Sequence, residues 1–529
     1  QAEWQLHRVN GRAEASIADG LPSRLADLGH TPRLAEADAA IEQALAQFAD
    51  QDGLLQALSA AREALEAASR ELSAEELARH GHRLARKRQE IDAALALAAG
   101  IDITAALSAA DVVPGNSIDL IVEIEGGAAQ SVTIAPQIRS DALAVALPPQ
   151  TAEAGRLVFT IDTRQTADIT NAFWPDWQSL GGNGALWLKV EAQVGGQTIS
   201  VTIDTEEQLQ LSPAHNIALA PDALIMPLPW TGQRSVTLKT EIDPARISTA
   251  PVQGISVSSG SGQLAVIADA TLAPGRYHLP ILVDGHPAHS VTPIAYPHIG
   301  RTRFARPLSL DILALDIALP QTRIGYIGGG ADRVGLWLER MGANPVQLDA
   351  EALSGDLAGY DTIVVGIFAF GTRPDLAAAT QKLHAWIKAG GHLVTLYHRP
   401  IDGWNPATTP PLTLTIGSPS LRWRVTNPAA PVTMLAPDHP LFAGPNRITD
   451  ADFAGWDKER GLYFAAAWDE AYQPLLSMSD AGEAPLTGSL LSARIGAGQH
   501  THTSLVLHHQ MDKLVPGAFR LMANLLQSA

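Results

Sequence analysis

The spacing of apolar residues changes twice along this 529-residue chain, and each change dictates a different kind of layer. Up to about residue 100 the period is helical: Ile41, Leu45 and Phe48 stand at i, i+4 and i+7, and Leu54, Leu58, Leu65 and Leu72 continue the stripe. Ser73 followed by Glu76 is a capping-box signature, and Leu77, Leu84 and Ile91 carry the next stripe. Residues 1–100 are therefore expected to form a small helical packing unit. Arg86-Lys87-Arg88 falls on its polar side and reads as a solvated helix face more readily than as an anion site.

Over 101–305 the period becomes two. Ile118, Leu120, Val122 and Ile124 alternate with other residues, as do Leu186, Leu188 and Val190, and Gly195-Gly196 reads as a hairpin turn before Ile199–Ile203. Further strands are expected at Ser235–Ile242, Gly262–Ala268 and Tyr277–Val283. Short strands with many Gly and Pro turns predict two β-sandwich modules, 101–211 and 212–305, with the proline-rich stretch Pro221–Pro229 near their boundary.

From 306 to 529 the pattern is strand, loop, helix. Arg323–Ile327 reads as a buried strand, Gly328-Gly329-Gly330 as the following turn, and Val334–Leu338 as helix. Strands are expected at Pro345–Leu348, Thr362–Gly366 and His392–Tyr397, with a helix ending at Gly390-Gly391 before the last of these. That series predicts a doubly wound, flavodoxin-like α/β domain whose ligands would bind beyond the carboxyl ends of the strands.

Composition narrows the chemistry. A net charge of −18 repels phosphate backbones and argues against nucleic acid as a partner. The absence of cysteine excludes disulfides, thiolate metal sites and cysteine nucleophiles. No apolar run reaches the ~20 residues that a membrane-spanning helix needs. The chain opens on Gln1 rather than Met, as expected of a processed chain or a piece of a larger polypeptide.

Several residues stand out as candidates. Gly328 and Gly329 lie where a phosphate would sit at a helix start, but the P-loop Lys and the G-x-G-x-x-G spacing are missing, so a tight turn is the simpler reading. Tyr397 and His398 end a strand where doubly wound hydrolases carry their nucleophile, and His398 is a candidate base or ligand contact. His500 and His502, two apart on a strand, project from one face and form a weak alternative for a metal site, with His508, His509, Asp438 and His439 close in sequence. Trp456, Glu459, Arg460 and Tyr463 form the densest aromatic and charged cluster in a chain that is only 5% aromatic, a composition suited to sugar or peptide binding. The plainer reading is a loop packed on the sheet, with Glu459 and Arg460 in a surface salt bridge. Trp174 and Trp177 carry the same two readings.

The residues also support a resemblance. Arg323–Ile327 with its glycines, Gly390–Val394 leading to Tyr397, Ala436-Pro437-Asp438-His439-Pro440, Ile448–Trp456, Glu459–Phe464, Pro516–Leu521 and Ala523-Asn524 resemble the C-terminal part of bacterial PIG-L (LmbE-like) deacetylases. Trp4–Gly11, the helical segment and the sandwiches fall in the order those proteins show after their catalytic domain. The last domain is similar to class I glutamine amidotransferases, close to the ThuA group. The resemblance implies a zinc-dependent N-deacetylase as parent, yet the P/A-H-P-D-D-E zinc motif has no counterpart; Asp438-His439-Pro440-Leu441 and Gly285-His286-Pro287-Ala288 lack its acidic pair. The amidotransferase cysteine is missing too.

The expectation is therefore an accessory, non-catalytic region with no cofactor of its own. Zinc would belong to a catalytic domain elsewhere in the same or a separate polypeptide, and an N-acetyl sugar or other carbohydrate would be the ligand. The alternatives are a ThuA-like sugar-active enzyme using His398, Glu459 and His508, or a structural assembly module. The family resemblance and the sandwich modules favour an exported protein.

Overall fold

Ser73 does begin a helix: its hydroxyl accepts the Glu76 N–H while the Glu76 carboxylate accepts the Ser73 N–H at 2.9 Å. The computed structural model describes residues 21–527 except 154, 173–183, 231 and 299. Trp4–Gly11, Trp174 and Trp177 lie outside the described residues. Three helices, α1 (Pro32–Ala46), α2 (Gln51–Glu71) and α3 (Ala74–Ala98), form the N-terminal part. Leu58, Leu65, Leu72, Leu84 and Ile91 are buried as their spacing predicts. Leu45 and Phe48 are exposed, against expectation, because α1 buries Leu34, Ala37, Ala40 and Ala44 instead. A face of alanines lets two helices approach closely, and apolar periodicity weighted toward large residues overlooks it. Arg86 and Lys87 pair with Glu90 on the solvent side.

The helices do not form a core of their own. They share one with the first sandwich, whose sheets run Asp102–Leu107, Ser117–Glu125, Arg156–Thr163, Leu143–Val145 and, opposite, Ser131–Ile138, Leu186–Val194, Gln197–Asp204. Gly195 and Gly196 have φ of 58° and 78° and close the Leu186–Asp204 hairpin, a two-residue turn that side chains on both positions would strain. Leu120, Leu188 and Ile199 point inward with no exposure; burying each is worth roughly 1.5–3 kcal/mol.

The second sandwich joins a sheet containing Gly232–Lys239 and Gln263–Ala268 to one in the order Ala223–Leu228, Ser309–Asp316, Gly275–Val283, Ile247–Thr249. The proline-rich stretch Pro221–Pro229 lies near the division after Asn216 and folds as part of this sandwich: Ala223–Leu228 is an edge strand, where the missing N–H of Pro227 is tolerated. One boundary changes here. Ser309–Asp316 pairs with strands of this sandwich, so the α/β region starts beyond it rather than at 306. The hairpin of His289–Tyr296 and Gly300–Pro307 goes the other way. It belongs with the first compact unit, which comprises the chain up to Asn216 plus His289–Arg306; the second unit comprises Ile217–Ala288 and everything from Pro307. The backbone thus passes between the units three times.

Within the second unit the α/β sheet contains β1 (Ile324–Ile327), β2 (Val346–Gln347), β3 (Thr362–Val365), β4 (His392–Leu396), β5 (Gln473–Pro474), β6 (Leu490–Ile495) and β7 (Gly498–Thr503). Their order is β2-β1-β3-β4-β7-β6-β5; the first five are parallel, and β6 and β5 are added antiparallel. Helices α4 (Val334–Arg340), α5 (Pro374–Lys388), α6 (Leu507–Asp512) and α7 (Pro516–Leu525) accompany it. Strands β1, β3 and β4 are buried along their length, as continuous apolar runs covered on both faces should be. The chain moves to opposite sides of β1 to make β2 and β3, which opens a crevice beyond their carboxyl ends.

Candidate functional site

Four segments leave the carboxyl ends of the parallel strands and meet there: Gly328–Arg333, Gly366–Arg373, Tyr397–Asp402 and Ser504–His508. The glycine loop after β1 packs against the segment after β3. A Cβ on Gly329 would come within 2.8 Å of the Ala369 Cα, and the Gly329 carbonyl accepts the Thr372 hydroxyl at 3.1 Å. The Gly328 carbonyl accepts from Arg373 at 3.2 Å. These glycines serve close packing. Asp332 ties the crevice together: its carboxylate accepts the Tyr326 hydroxyl, the Val334 N–H at 2.8 Å and the Ile367 N–H at 2.8 Å. Burial, reinforced by that carboxylate, pushes the Tyr326 hydroxyl well above its ordinary pKa. A cavity of about 400 Å³ lies alongside, lined by Gly328, Gly330, Asp332, Gln347 and Arg373.

The next segment carries backbone strain. Phe368 sits at φ 59°, ψ 8°, in the left-handed region where a side chain costs about 1 kcal/mol or more. Across the crevice Lys458 and Tyr463 share that conformation, at φ 67° and 56°. These conformations bring three rings together: Phe368, Tyr397 and Tyr463 have centroids 5.5, 5.6 and 6.2 Å apart. Phe368 and Tyr463 are partly exposed, whereas Tyr397 is buried behind them. Arg399 lies over the Phe368 ring at 4.3 Å and is held by Asp402 at 2.7 Å. The Tyr397 hydroxyl is 3.5 Å from His508 Nε2, and burial followed by the nearby Glu459 carboxylate raises its pKa. Burial lowers the pKa of His508, which Asp332 and Asp512 partly offset.

The other sequence candidates separate into distinct roles. Glu459 is buried beside this cluster, and its carboxylate lies 3.5 Å from Lys458, not against Arg460. Arg460 is a core residue: it donates to the carbonyls of Ala430 and Phe453, stacks on Trp456, and is desolvated enough to bring its pKa down to about 10. Trp456 is buried too, its indole N–H given to the Asp452 carbonyl at 3.0 Å. The expected surface salt bridge is therefore absent, since burial makes carbonyl acceptors the available partners.

His398 faces the opposite side of the sheet from Tyr397. It packs between Phe370 and Trp404, donates from Nδ1 to the Leu396 carbonyl at 2.8 Å, and accepts the Phe370 N–H on Nε2 at 3.2 Å. Burial lowers its pKa to about 4. With both nitrogens engaged it does not join Glu459 and His508 in one constellation.

His500 and His502 are fully buried in a directional chain. The Tyr472 hydroxyl is 2.6 Å from His500 Nδ1, His500 Nε2 is 3.0 Å from Thr395 Oγ1, and that hydroxyl is 2.9 Å from His502 Nδ1. His502 Nε2 in turn reaches Ser504 Oγ, which donates to the Tyr463 carbonyl at 3.1 Å. One set of tautomers satisfies every link with both rings neutral: each histidine carries its proton on Nε2. Among the described residues no three His, Asp or Glu side chains converge as metal ligands, so the residues here do not fit a zinc site.

Sequence reasoning missed Phe368, Arg399 and Asp332. The usable signal was position alone, since each follows directly on a parallel strand or its glycine turn.

No family model matches the chain, and no curated protein matches it. Among solved structures it is similar to the Escherichia coli adhesin FdeC, at 15% identity over 40% of this chain and 65% of that one, with a TM-score of 0.17. The exo-β-1,4-mannosidase Op5Man5 from Opitutaceae bacterium strain TAV5 gives 14% identity over 39% and 36% with a TM-score of 0.24. The Yersinia pseudotuberculosis adhesin InvE gives 10% over 42% and 63% with a TM-score of 0.14. Likenesses this slight carry no argument about activity.

Proposed function

We propose that the C-terminal α/β region is a flavodoxin-like carbohydrate-recognition domain, and that the chain is the accessory, non-catalytic part of a PIG-L-type N-acetyl-sugar deacetylase. The observation that carries the recognition step is the strained presentation of Phe368 and Tyr463 at the strand ends, beside Arg399 and Glu459. Partly exposed rings offer apolar faces to the C–H groups of a pyranose, and a carboxylate and a guanidinium accept and donate to its hydroxyls. Strain at such positions is retained where the backbone must aim a side chain. The link to a deacetylase rests on the sequence resemblance. It places zinc and the hydrolytic step in a separate catalytic domain, so no step is routed through this chain. No described helix is long and apolar enough to cross a membrane; export remains part of the same reading, through the family it resembles.

The test is calorimetric titration of the full chain with N-acetylglucosamine and its β-1,4-linked dimer. Saturable binding is expected, at least about tenfold weaker in Tyr463→Ala, because removing a stacked ring costs about 1.4 kcal/mol or more. Acetate release from the same sugars with added zinc is expected to be nil. Binding unaffected by the substitution, or turnover by the chain alone, would defeat the proposal.

A second reading, a sugar-active enzyme, draws on the proximity of Tyr397 to both His508 and Glu459. It excludes His398 from the reacting groups and predicts turnover that Glu459→Gln abolishes.

A further inference from the structure

A second polar cavity opens at the other end of the same sheet. It has a volume of about 460 Å³, within the range that holds a small molecule, and is lined by Arg494 and Ser492 of β6, Gln499 of β7, Gln473 of β5, and His439 and Leu441. Strand register explains why polar groups gather there. Arg494 is directly opposite Gln499, and Ser492 is opposite both Thr501 and Gln473, so these side chains share one face of the sheet.

The hydrogen bonds beneath the cavity determine what it offers. His392 donates from Nδ1 to the Gln527 carbonyl at 2.9 Å, so its Nε2 accepts the Thr501 hydroxyl at 2.9 Å. Thr501 Oγ1, its proton spent, accepts from Gln499 Nε2 at 3.2 Å, and Ser492 Oγ accepts from the same amide at 2.9 Å. The amide of Gln499 is thereby fixed in orientation. Its Oε1 has no donor among the described residues, although the residue is only 7% exposed. His439 Nδ1 accepts the Leu441 N–H at 3.2 Å, which places the ring proton on Nε2. Arg494 is exposed and has no carboxylate partner among the described residues. The cavity therefore presents a guanidinium fork, one imidazole N–H and one unfilled carbonyl acceptor.

We propose that this cavity binds a small hydroxylated carboxylate of the sugar-acid class: Arg494 holds the carboxylate, His439 donates to it, and Gln499 Oε1 accepts from a hydroxyl. A planar fork matches a carboxylate in a way that a point charge does not. The free acceptor demands a donor set apart from the anionic group, which a sugar-acid hydroxyl supplies and compact phosphate, whose P–OH sits on the anion itself, does not; a neutral sugar leaves the guanidinium unpaired.

The experiment titrates the full chain with D-glucuronate, D-glucose and inorganic phosphate. Glucuronate is expected to bind with a Kd of about 1 mM or below, with glucose and phosphate at least about tenfold weaker. Arg494→Gln, a surface substitution that leaves the melting temperature in place, should weaken glucuronate at least about tenfold, and Arg494→Lys should recover only part of the loss. Tyr463→Ala should leave it unchanged, which separates this site from the crevice at the opposite strand ends. Absence of glucuronate binding, phosphate binding equally well, indifference to both Arg494 substitutions, or a loss shared with Tyr463→Ala would each overturn the proposal.

Discussion

The two compact units bury polar side chains by opposite means. In the first, Arg62 of α2 and Asp92 of α3 form a sealed ion pair at 2.5 Å, and each completes its bonding on the adjacent strand: Arg62 donates to the Thr198 carbonyl at 2.6 Å, and Asp92 accepts the Ser200 N–H at 3.1 Å. In the α/β region the buried histidines His392, His398, His500 and His502 are neutral and held in relays with hydroxyls and carbonyls, and the buried cation Arg460 is met by carbonyls rather than by a carboxylate. A charged pair joins helices to sheet with strong, directional bonds but leaves a stranded charge if either member is lost. Neutral relays avoid that liability and acquire another, because each ring takes up a proton once the chain unfolds.

The largest expected effect follows from that proton uptake. Burial holds His392 and His398 at about 4 and His502 at about 3, against an ordinary value of 6.5. Below 6.5 the unfolded chain binds protons that the folded one refuses, so stability is full above that pH and is lost as pH falls toward 4. Each ring accounts for roughly 2 kcal/mol at pH 5. Urea unfolding followed by tryptophan fluorescence, which reports mainly on the second unit because it holds seven of the eleven tryptophans, should show a markedly lower midpoint at pH 5 than at pH 7. An unchanged midpoint would erase the contrast between the units.

Next in size is Asp92→Ala, which leaves the buried Arg62 only the half-exposed Glu66 carboxylate at 2.9 Å and the Thr198 carbonyl, and should cost the first unit about 3 kcal/mol. Circular dichroism at 222 nm during urea unfolding would register the loss in the helices, and replacing both residues with apolar ones should restore most of it. A single substitution as mild as the double one would show that the pair is not what joins α2, α3 and the sheet. The smallest effect is Gly517→Ala. A Cβ at that position overlaps the Asp452 carbonyl, a backbone atom with no freedom to turn aside, so about 1–3 kcal/mol is expected from the second unit alone. Hydrogen exchange in α7 measures it, and unchanged protection there would mean the region yields where its packing indicates it should not.

Much of the architecture was legible because period and punctuation agree. Ser73–Glu76, Gly195-Gly196 and Gly390-Gly391 mark ends that local chemistry decides, and the structure has a helix start, a hairpin turn and a helix end at those places. What escaped was set by tertiary burial. The alanine face of α1 has no large side chain to reveal it, and the Ala223–Leu228 strand lies between prolines that usually signal a loop. Arg460 and Trp456 look like binding residues until the carbonyls of Ala430, Phe453 and Asp452 are found around them. Of the crevice, Tyr397, Glu459, Tyr463 and His508 were readable as types; Phe368 and Arg399 gain their roles only from a left-handed backbone and a partner ring.

The threefold passage of the backbone between the units, after Asn216, Ala288 and Arg306, has a consequence for dissection. A protease that nicks any one crossing leaves two intact tethers, so the halves still migrate together without denaturant. Neither half is a continuous stretch of chain, and no single truncation yields one of them whole and free of residues from the other. Recombinant fragments would instead need the Ile217–Ala288 insert spliced out of one and its flanking hairpin spliced out of the other.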